Sequence, residues 1–352
     1  MDFRTLSGSR APLADRLRAA HVRSILLVET AWLGDVVFVS VLAQALAAGF
    51  PNARVTLLCA PRGRDVGACM PGVSEVIVYD KHGADEGPAA FTRLLRHLRA
   101  RRFDLSVSPH RSARTALLSR LVGAPLRLGY ATPPGALCFT DTVPDRGGRF
   151  AERDLTLARA LGIEKAFTPR LDVNAVGRAS ATRALAQHGV REDARLVGLV
   201  IGSERATKRW PAEHFGSLAA SLLARGLTPL LLGSPEERVL GQLVRQIAPN
   251  TIDIVGNTVL ETLGLLERCE LVVGGDTGLV HAARALGRPT VPLFGPTDPA
   301  AHLFGERDRP QWLTLPCAPC SKSGPRRCPL GHHKCLRELK VAKVLAAAVE
   351  LV

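Results

Sequence analysis

Aromatic residues are scarce in this chain: three Trp, two Tyr and eleven Phe make up 5% of its 352 residues. Cores built on stacked rings are therefore excluded, and the 46% hydrophobic content must be carried mainly by Leu, Val and Ala. The few rings do not interleave with basic residues, which removes the stacking platforms that single-stranded nucleic acid needs. No apolar run approaches the ~20 residues of a bilayer-crossing helix. Residues 1–20 contain arginines but no apolar stretch and no small-residue cleavage signal, so a cytoplasmic chain is expected. Without an export signal, disulfides are not expected among the eight cysteines. The G-x-G-x-x-G fingerprint is also missing, which turns the reading away from nicotinamide-dependent dehydrogenases. Acidic residues are in deficit, 32 against 46 Lys and Arg, giving a net charge of +14. The excess lies in both halves and not in a tail. It suits an anionic partner such as a nucleotide, a phosphorylated lipid head group or nucleic acid, although an Arg-rich coding bias produces the same imbalance.

What is present is a repeating α/β pattern. Apolar runs of strand length occur at Ser24–Glu29, Val55–Cys59, Val73–Tyr79 and Leu105–Ser108, with helical patterns at Val36–Phe50 and Phe91–Arg101. The pattern restarts with strands at Leu196–Ile201, Pro229–Leu232, Ile252–Val255, Leu271–Val273 and Thr290–Phe294. Between and after them come helices at Pro211–Arg225, Glu236–Ala248, Leu260–Arg268, Leu279–Leu286 and Val341–Val352. Near-continuous apolar strands alternating with helices predict mostly parallel, doubly wound sheets covered on both faces. Two Rossmann-like domains are expected, 1–172 and 193–352, joined by a polar, Ala/Arg-rich linker at 173–192.

The most informative stretch runs from Val272 to Ala283, through Gly274-Gly275-Asp276-Thr277-Gly278, and is followed by Leu293-Phe294-Gly295-Pro296-Thr297-Asp298-Pro299. A strand feeds a glycine pair, an acid and a helix start. Backbone N–H groups at such a helix N-terminus seek phosphate, because they are unpaired and the helix dipole favours negative charge. The amides of Thr277, Gly278 and Leu279 are the expected cradle. Asp276 is read as a cap of this helix that also faces the ligand, and His281, one turn on, as either a ligand contact or a structural core histidine.

Four blocks together resemble the family-9 glycosyltransferases, the lipopolysaccharide heptosyltransferases. They are Ala31-Trp32-Leu33-Gly34-Asp35-Val36-Val37; Lys208-Arg209-Trp210-Pro211 with Phe215; Gly274 to His281; and Leu293 to Pro299. The tail around Cys317, Cys320, Cys328 and Cys335 looks most like the heptosyltransferase II branch. The resemblance implies a GT-B fold, with two Rossmann-like domains facing a cleft. It implies inverting transfer of heptose from ADP-heptose to the lipopolysaccharide inner core, at the cytoplasmic face of the inner membrane. Partners would be the nucleotide sugar and an anionic glycolipid, with no nucleic acid and no required cofactor.

The resemblance also suggests roles. Asp35, carried by the first domain, would be the base that takes the acceptor hydroxyl's proton; by position alone it is an ordinary first-turn helix acid. Lys208 would neutralise the leaving diphosphate instead of being a solvated surface lysine, with Ser203 donating to the same phosphates. Glu236 or Glu237 would hold the ribose hydroxyls, unless both are first-turn acids. Residues 257–260 occupy the place where the adenine edge is read, and Trp210 is expected in the core. Among Arg62, Arg64, Arg111, Arg114 and Arg120, some would bind acceptor carboxylates or phosphates, a geometry Arg suits through bidentate pairing. The spacing C-x2-C-x7-C-x6-C makes the four tail cysteines an acceptable tetrahedral zinc set, structural if filled; buried thiols in a Pro/Gly-rich loop are the alternative. Glu29 and Val280 depart from the family pattern, which has Arg or Lys and Ser or Met there. Rival functions are a GT-B nucleotide-sugar epimerase, a family member using another donor sugar, and a non-enzymatic nucleotide-sugar binder.

Overall fold

The computed structural model describes residues 13–352; the reading of residues 1–12 lies outside them. The chain builds two compact units. One contains the described residues up to Trp32 together with Val39–Thr168. The other contains Leu33–Phe38 and Pro169–Val352.

In chain order the first half runs through α1 Leu13–Ala20, β1 Ser24–Glu29, α2 Leu33–Phe38, α3 Ser40–Gly49, β2 Arg54–Cys59, α4 Arg64–Ala68 and β3 Glu75–Val78. It continues with α5 Gly87–Ala100, β4 Leu105–Ser108, α6 Ala113–Val122, β5 Leu126–Tyr130, β6 Asp141–Val143 and α7 Phe150–Ala160. The second half comprises α8 Ala175–Gln187, β7 Leu196–Val200, α9 Ala212–Leu223, β8 Thr228–Leu232, α10 Arg238–Ile247 and β9 Ile252–Asp253. After these come α11 Val259–Arg268, β10 Leu271–Gly275, α12 Gly278–Ala285, β11 Thr290–Leu293, α13 Lys334–Arg337 and α14 Val341–Val349.

All strand pairs are parallel. The first sheet has the order β3-β2-β1-β4-β5-β6 and the second β11-β10-β7-β8-β9. Both are doubly wound in the same sense. The order reverses between β1 and β4 in one unit and between β7 and β10 in the other, and ligands of open α/β sheets bind beyond the strand ends at such points. The continuous apolar runs follow from cover on both faces: β4, β7 and β10 are buried along their whole length. The second core packs Trp210, Phe215, Leu218 and Leu222 against Leu336, Leu339 and Val344, so the C-terminal residues close it.

Three readings need correction. The helical pattern at 36–50 is two helices broken at Val39, because its apolar residues serve two cores. Helix α2 packs on α12 in the second unit, while α3 packs on α7 in the first. Asp35 is therefore carried by the second unit and not by the first. Two glycines permit this: a Cβ on Gly278 would overlap Leu33 and lie 3.0 Å from the Gly34 backbone nitrogen. The segment 173–192 is no open linker either. It contains α8, capped by Asn174 and packed on α11 where Gly177 meets Gly264. Finally, β9 stops at Asp253, two residues early; Asp253 turns its carboxylate back to the Val255 N–H at 3.1 Å.

Candidate active site

The second unit's switch point is organised around one buried carboxylate. Asp276, directly after β10, is 5% exposed. Its Oδ2 lies 2.7 Å from Lys208 Nζ, and its Oδ1 lies 3.0 Å from His281 Nε2 and 3.4 Å from His302 Nε2. Lys208 also donates to the Asp276 carbonyl at 2.8 Å. The two imidazoles stack at 4.9 Å, and Phe38 of α2 covers both, at 4.8 Å from His281 and 5.6 Å from His302. Gly275 is obligatory here, since a Cβ would run into the Lys208 carbonyl. A Cβ on Gly34 would stand 3.3 Å from the His281 ring. The close approach of α2 to α12 thus depends on missing side chains.

The start of α12 lacks a side-chain cap. Thr277 occupies the cap position but makes no capping bond. Its hydroxyl is buried without a partner among the described residues, as are the Thr297 hydroxyl and His281 Nδ1. Orphaned buried polar groups are costly, and the Thr277 hydroxyl is one that sits at an uncapped helix N-terminus.

Burial pushes the Asp276 carboxyl up, but the His281 hydrogen bond and the charges around it, led by His281 and Lys208, hold it well below its ordinary 3.8. Burial lowers His281 from 6.5, and burial with His281 alongside pushes His302 down to about 3. The node is therefore the Lys208–Asp276 ion pair with two imidazoles alongside, of which His302 is uncharged at neutral pH. Ligand atoms of Asp276, His281 and His302 lie within 4.8 Å of one another, a spacing that would suit a metal; the Lys208 ammonium already engages this carboxylate, so the donor set is better matched to an ion pair. A pH consequence follows. The unfolded chain protonates these histidines near 6.5, whereas the folded chain protonates His281 at a lower pH and His302 only near 3. Stability is thus lost as pH falls below about 6.5, by up to about 1.4 kcal/mol per pH unit for His302, with His281 acting in the same direction. Asp276 adds to the loss only below the ordinary carboxylate range. Thermal melts should show the Tm of the second unit falling by several degrees between pH 7 and pH 5; a constant Tm would rule out a neutral His302.

The other expected residues distribute as follows. Ser203 Oγ accepts from the Arg205 N–H at 3.3 Å, and its carbonyl accepts from Arg209 Nε at 2.7 Å. Glu237 is buried; it accepts from the Ser234 N–H at 2.8 Å and lies 3.5 Å from Arg209. Gly202 is required because a Cβ would overlap that carboxylate. Glu237 therefore serves the turn, while Glu236 is exposed and held low by the Ser234 side chain. Trp210 is core, 2% exposed, with its indole N–H on the Leu339 carbonyl at 3.0 Å. In the first unit Arg62 lies 4.5 Å over the Trp32 ring. Arg111 pairs with Asp145 at 2.7 Å, and Arg120 reaches the Leu137 carbonyl at 3.4 Å; Arg64 and Arg114 are exposed. Cys317, Cys320, Cys328 and Cys335 are free thiols. Their loop braces the lysine segment. Thr207 donates to the Pro325 carbonyl at 2.6 Å, His333 Nε2 donates to the Thr207 carbonyl at 2.7 Å, and Gly324 lies against the Lys208 stem. Sequence reasoning missed Phe38, Thr297 and His302. Thr297 lay inside a quoted motif, but nothing in the sequence signals that His302 returns to Asp276.

Two parallel doubly wound units, one with a cation and an uncapped helix start at its switch point, have the architecture of the GT-B class. Residues 91–330 match glycosyltransferase family 9 (heptosyltransferase). Lipopolysaccharide heptosyltransferase 2 of Escherichia coli K12 is 30% identical over 296 residues, covering 78% of this chain and 83% of that one. Among solved structures, a family 9 glycosyl transferase from Veillonella parvula aligns with TM-score 0.84 and 22% identity, over 94% of this chain and 97% of that one. The E. coli ADP-heptose LPS heptosyltransferase II aligns with TM-score 0.77 and 24% identity, over 93% and 98%. The chain belongs to glycosyltransferase family 9.

Proposed function

We propose that this enzyme transfers L-glycero-D-manno-heptose from ADP-heptose to the lipopolysaccharide inner core with inversion at the anomeric carbon. The observation that carries the reading is the second unit's switch point. There the Lys208 ammonium, fixed by Asp276, stands beside an uncapped α12 start and the unpartnered Thr277 hydroxyl. A diphosphate supplies the negative oxygens that these groups lack. The similarity to heptosyltransferase 2 supports heptose as the sugar.

In this mechanism the Thr277, Gly278 and Leu279 amides and Lys208 bind the diphosphate. The acceptor hydroxyl attacks the anomeric carbon from the face opposite the nucleotide. The new C–O bond forms as the bond to the ADP oxygen breaks, and Asp35 takes the hydroxyl proton. The electron pair leaves with ADP, where Lys208 and the helix start stabilise the added charge. Close contact of Gly34 with Gly278 puts Asp35 beside this helix start. With a lysine and a helix terminus supplying positive charge, the transfer step itself requires no metal. Glu236 and Ser203 are assigned to the donor, and Arg62, Arg64 and Arg114 to the acceptor. The basic surface favours contact with anionic lipid at the inner membrane's cytoplasmic face. Among the described residues no helix is long and apolar enough to cross a membrane.

A donor panel tests the reading. ADP-heptose, UDP-sugars and GDP-sugars are incubated with a truncated core acceptor and without it. Product formation from ADP-heptose only when acceptor is present is expected. Conversion of the donor without acceptor identifies an epimerase, and a preference for another nucleotide sugar replaces the donor assignment.

A further inference from the structure

The first unit has its own switch point, between β1 and β4, and the transfer mechanism leaves it unused. A polar cluster lies there. His110, two residues past β4, has its Nδ1 2.9 Å from Thr115 Oγ1 and 3.1 Å from Thr30 Oγ1. The two hydroxyls are 3.2 Å apart, and both threonines are buried, at 3% and 7% exposure. Thr30 follows β1 directly and Thr115 belongs to the first turn of α6, so three separate elements fix the ring. The Ser108 hydroxyl reaches the His110 carbonyl at 3.5 Å. The other ring nitrogen, Nε2, makes no hydrogen bond with any described residue. Burial, then Lys81 and Arg111, push the imidazole down to about 4. It is therefore uncharged at neutral pH, with cations nearby. Arg111 is tied to Asp145.

We propose that this cluster is an anion-binding subsite for the acceptor. Thr115 donates to Nδ1, the ring proton rests on Nε2, and Nε2–H together with the Lys81 ammonium holds a phosphate or carboxylate oxygen of the acceptor. The position supports this: it corresponds to that of Asp276, which follows the fourth strand of the second sheet as His110 follows the fourth of the first. An imidazole held in place by two buried hydroxyls is a preorganised hydrogen-bond site, and such preorganisation reduces the cost of binding. The inference rests on the transferase reading above.

The test combines kinetics with a spectroscopic readout. His110→Ala should raise the acceptor KM by about tenfold, the loss expected for one hydrogen bond to a charged group, leaving kcat and the ADP-heptose KM near wild type. His110→Gln, whose side-chain amide can donate from nearly the same place, should recover most of the loss. An acceptor stripped of its phosphates, and one with its carboxylates reduced, identify the anion: the relevant one should raise the wild-type KM and abolish the penalty of His110→Ala. In 15N-labelled protein, imidazole correlations should show His110 as the Nε2–H tautomer at pH 7. An Nδ1–H tautomer, or an unchanged acceptor KM in a folded His110→Ala protein, overturns the subsite. Absence of transfer by the wild-type protein from any donor overturns the transferase reading instead, and the tautomer result then still tests the geometry alone.

Discussion

Asp35→Asn should cut kcat about a thousandfold while leaving ADP-heptose affinity within a few-fold of wild type. The group removed is the one we propose as proton acceptor for the attacking hydroxyl, and general-base contributions are of the order of 10² to 10⁴. A loss in kcat without a loss in donor binding is the signature of an interaction made in the transition state. Asn keeps the shape and the first-turn position but cannot take a proton. The structure sharpens the expectation. Helix α2 packs on α12 within the second unit, so packing of the chain itself holds the Asp35 backbone near the α12 start. Rapid-quench turnover and calorimetric titration with ADP-heptose measure the two quantities. An Asn variant with kcat near wild type removes Asp35 from the chemistry.

Lys208→Ala should be damaging in two separable ways. It removes the cation 2.7 Å from a carboxylate that is 5% exposed, and breaking one side of a buried ion pair costs about 3–5 kcal/mol. In the proposed mechanism it also removes charge stabilisation of the departing ADP, worth roughly 10² to 10³ in kcat by comparison with other electrostatic stabilisers. The double variant Lys208→Ala/Asp276→Asn separates the effects. With no uncompensated charge left in the core, its Tm should recover most of the loss, while its activity stays low. Recovery of both would make Lys208 a purely structural partner of Asp276.

Much of this arrangement can be read along the chain. The parallel sheets follow from apolar strands such as Ser24–Glu29 and Leu196–Val200, whose continuity fits only two-sided cover. The Gly-Gly-Asp-Thr-Gly run announces a strand–loop–helix start because each residue type suits its place there. Trp210 is read correctly as core, since its neighbours set a helical apolar face. Short-range chemistry of this kind is encoded by neighbours in sequence. Glu237 shows the limit: a first-turn acid looks the same whether it faces a ribose or turns back, as here, to cap Ser234.

The amino-acid order alone determined the α/β architecture, the family and the strand–loop–helix turn at Asp276, because propensity, hydrophobic period and turn chemistry act over a few residues. Tertiary packing decided that Val39 separates two helices bound to different cores, that Asp35 belongs with the second unit, and that His302 closes on Asp276 from 26 residues away. Those outcomes depend on which surfaces come together, and on glycines that permit close approach only once a partner backbone is there to meet them.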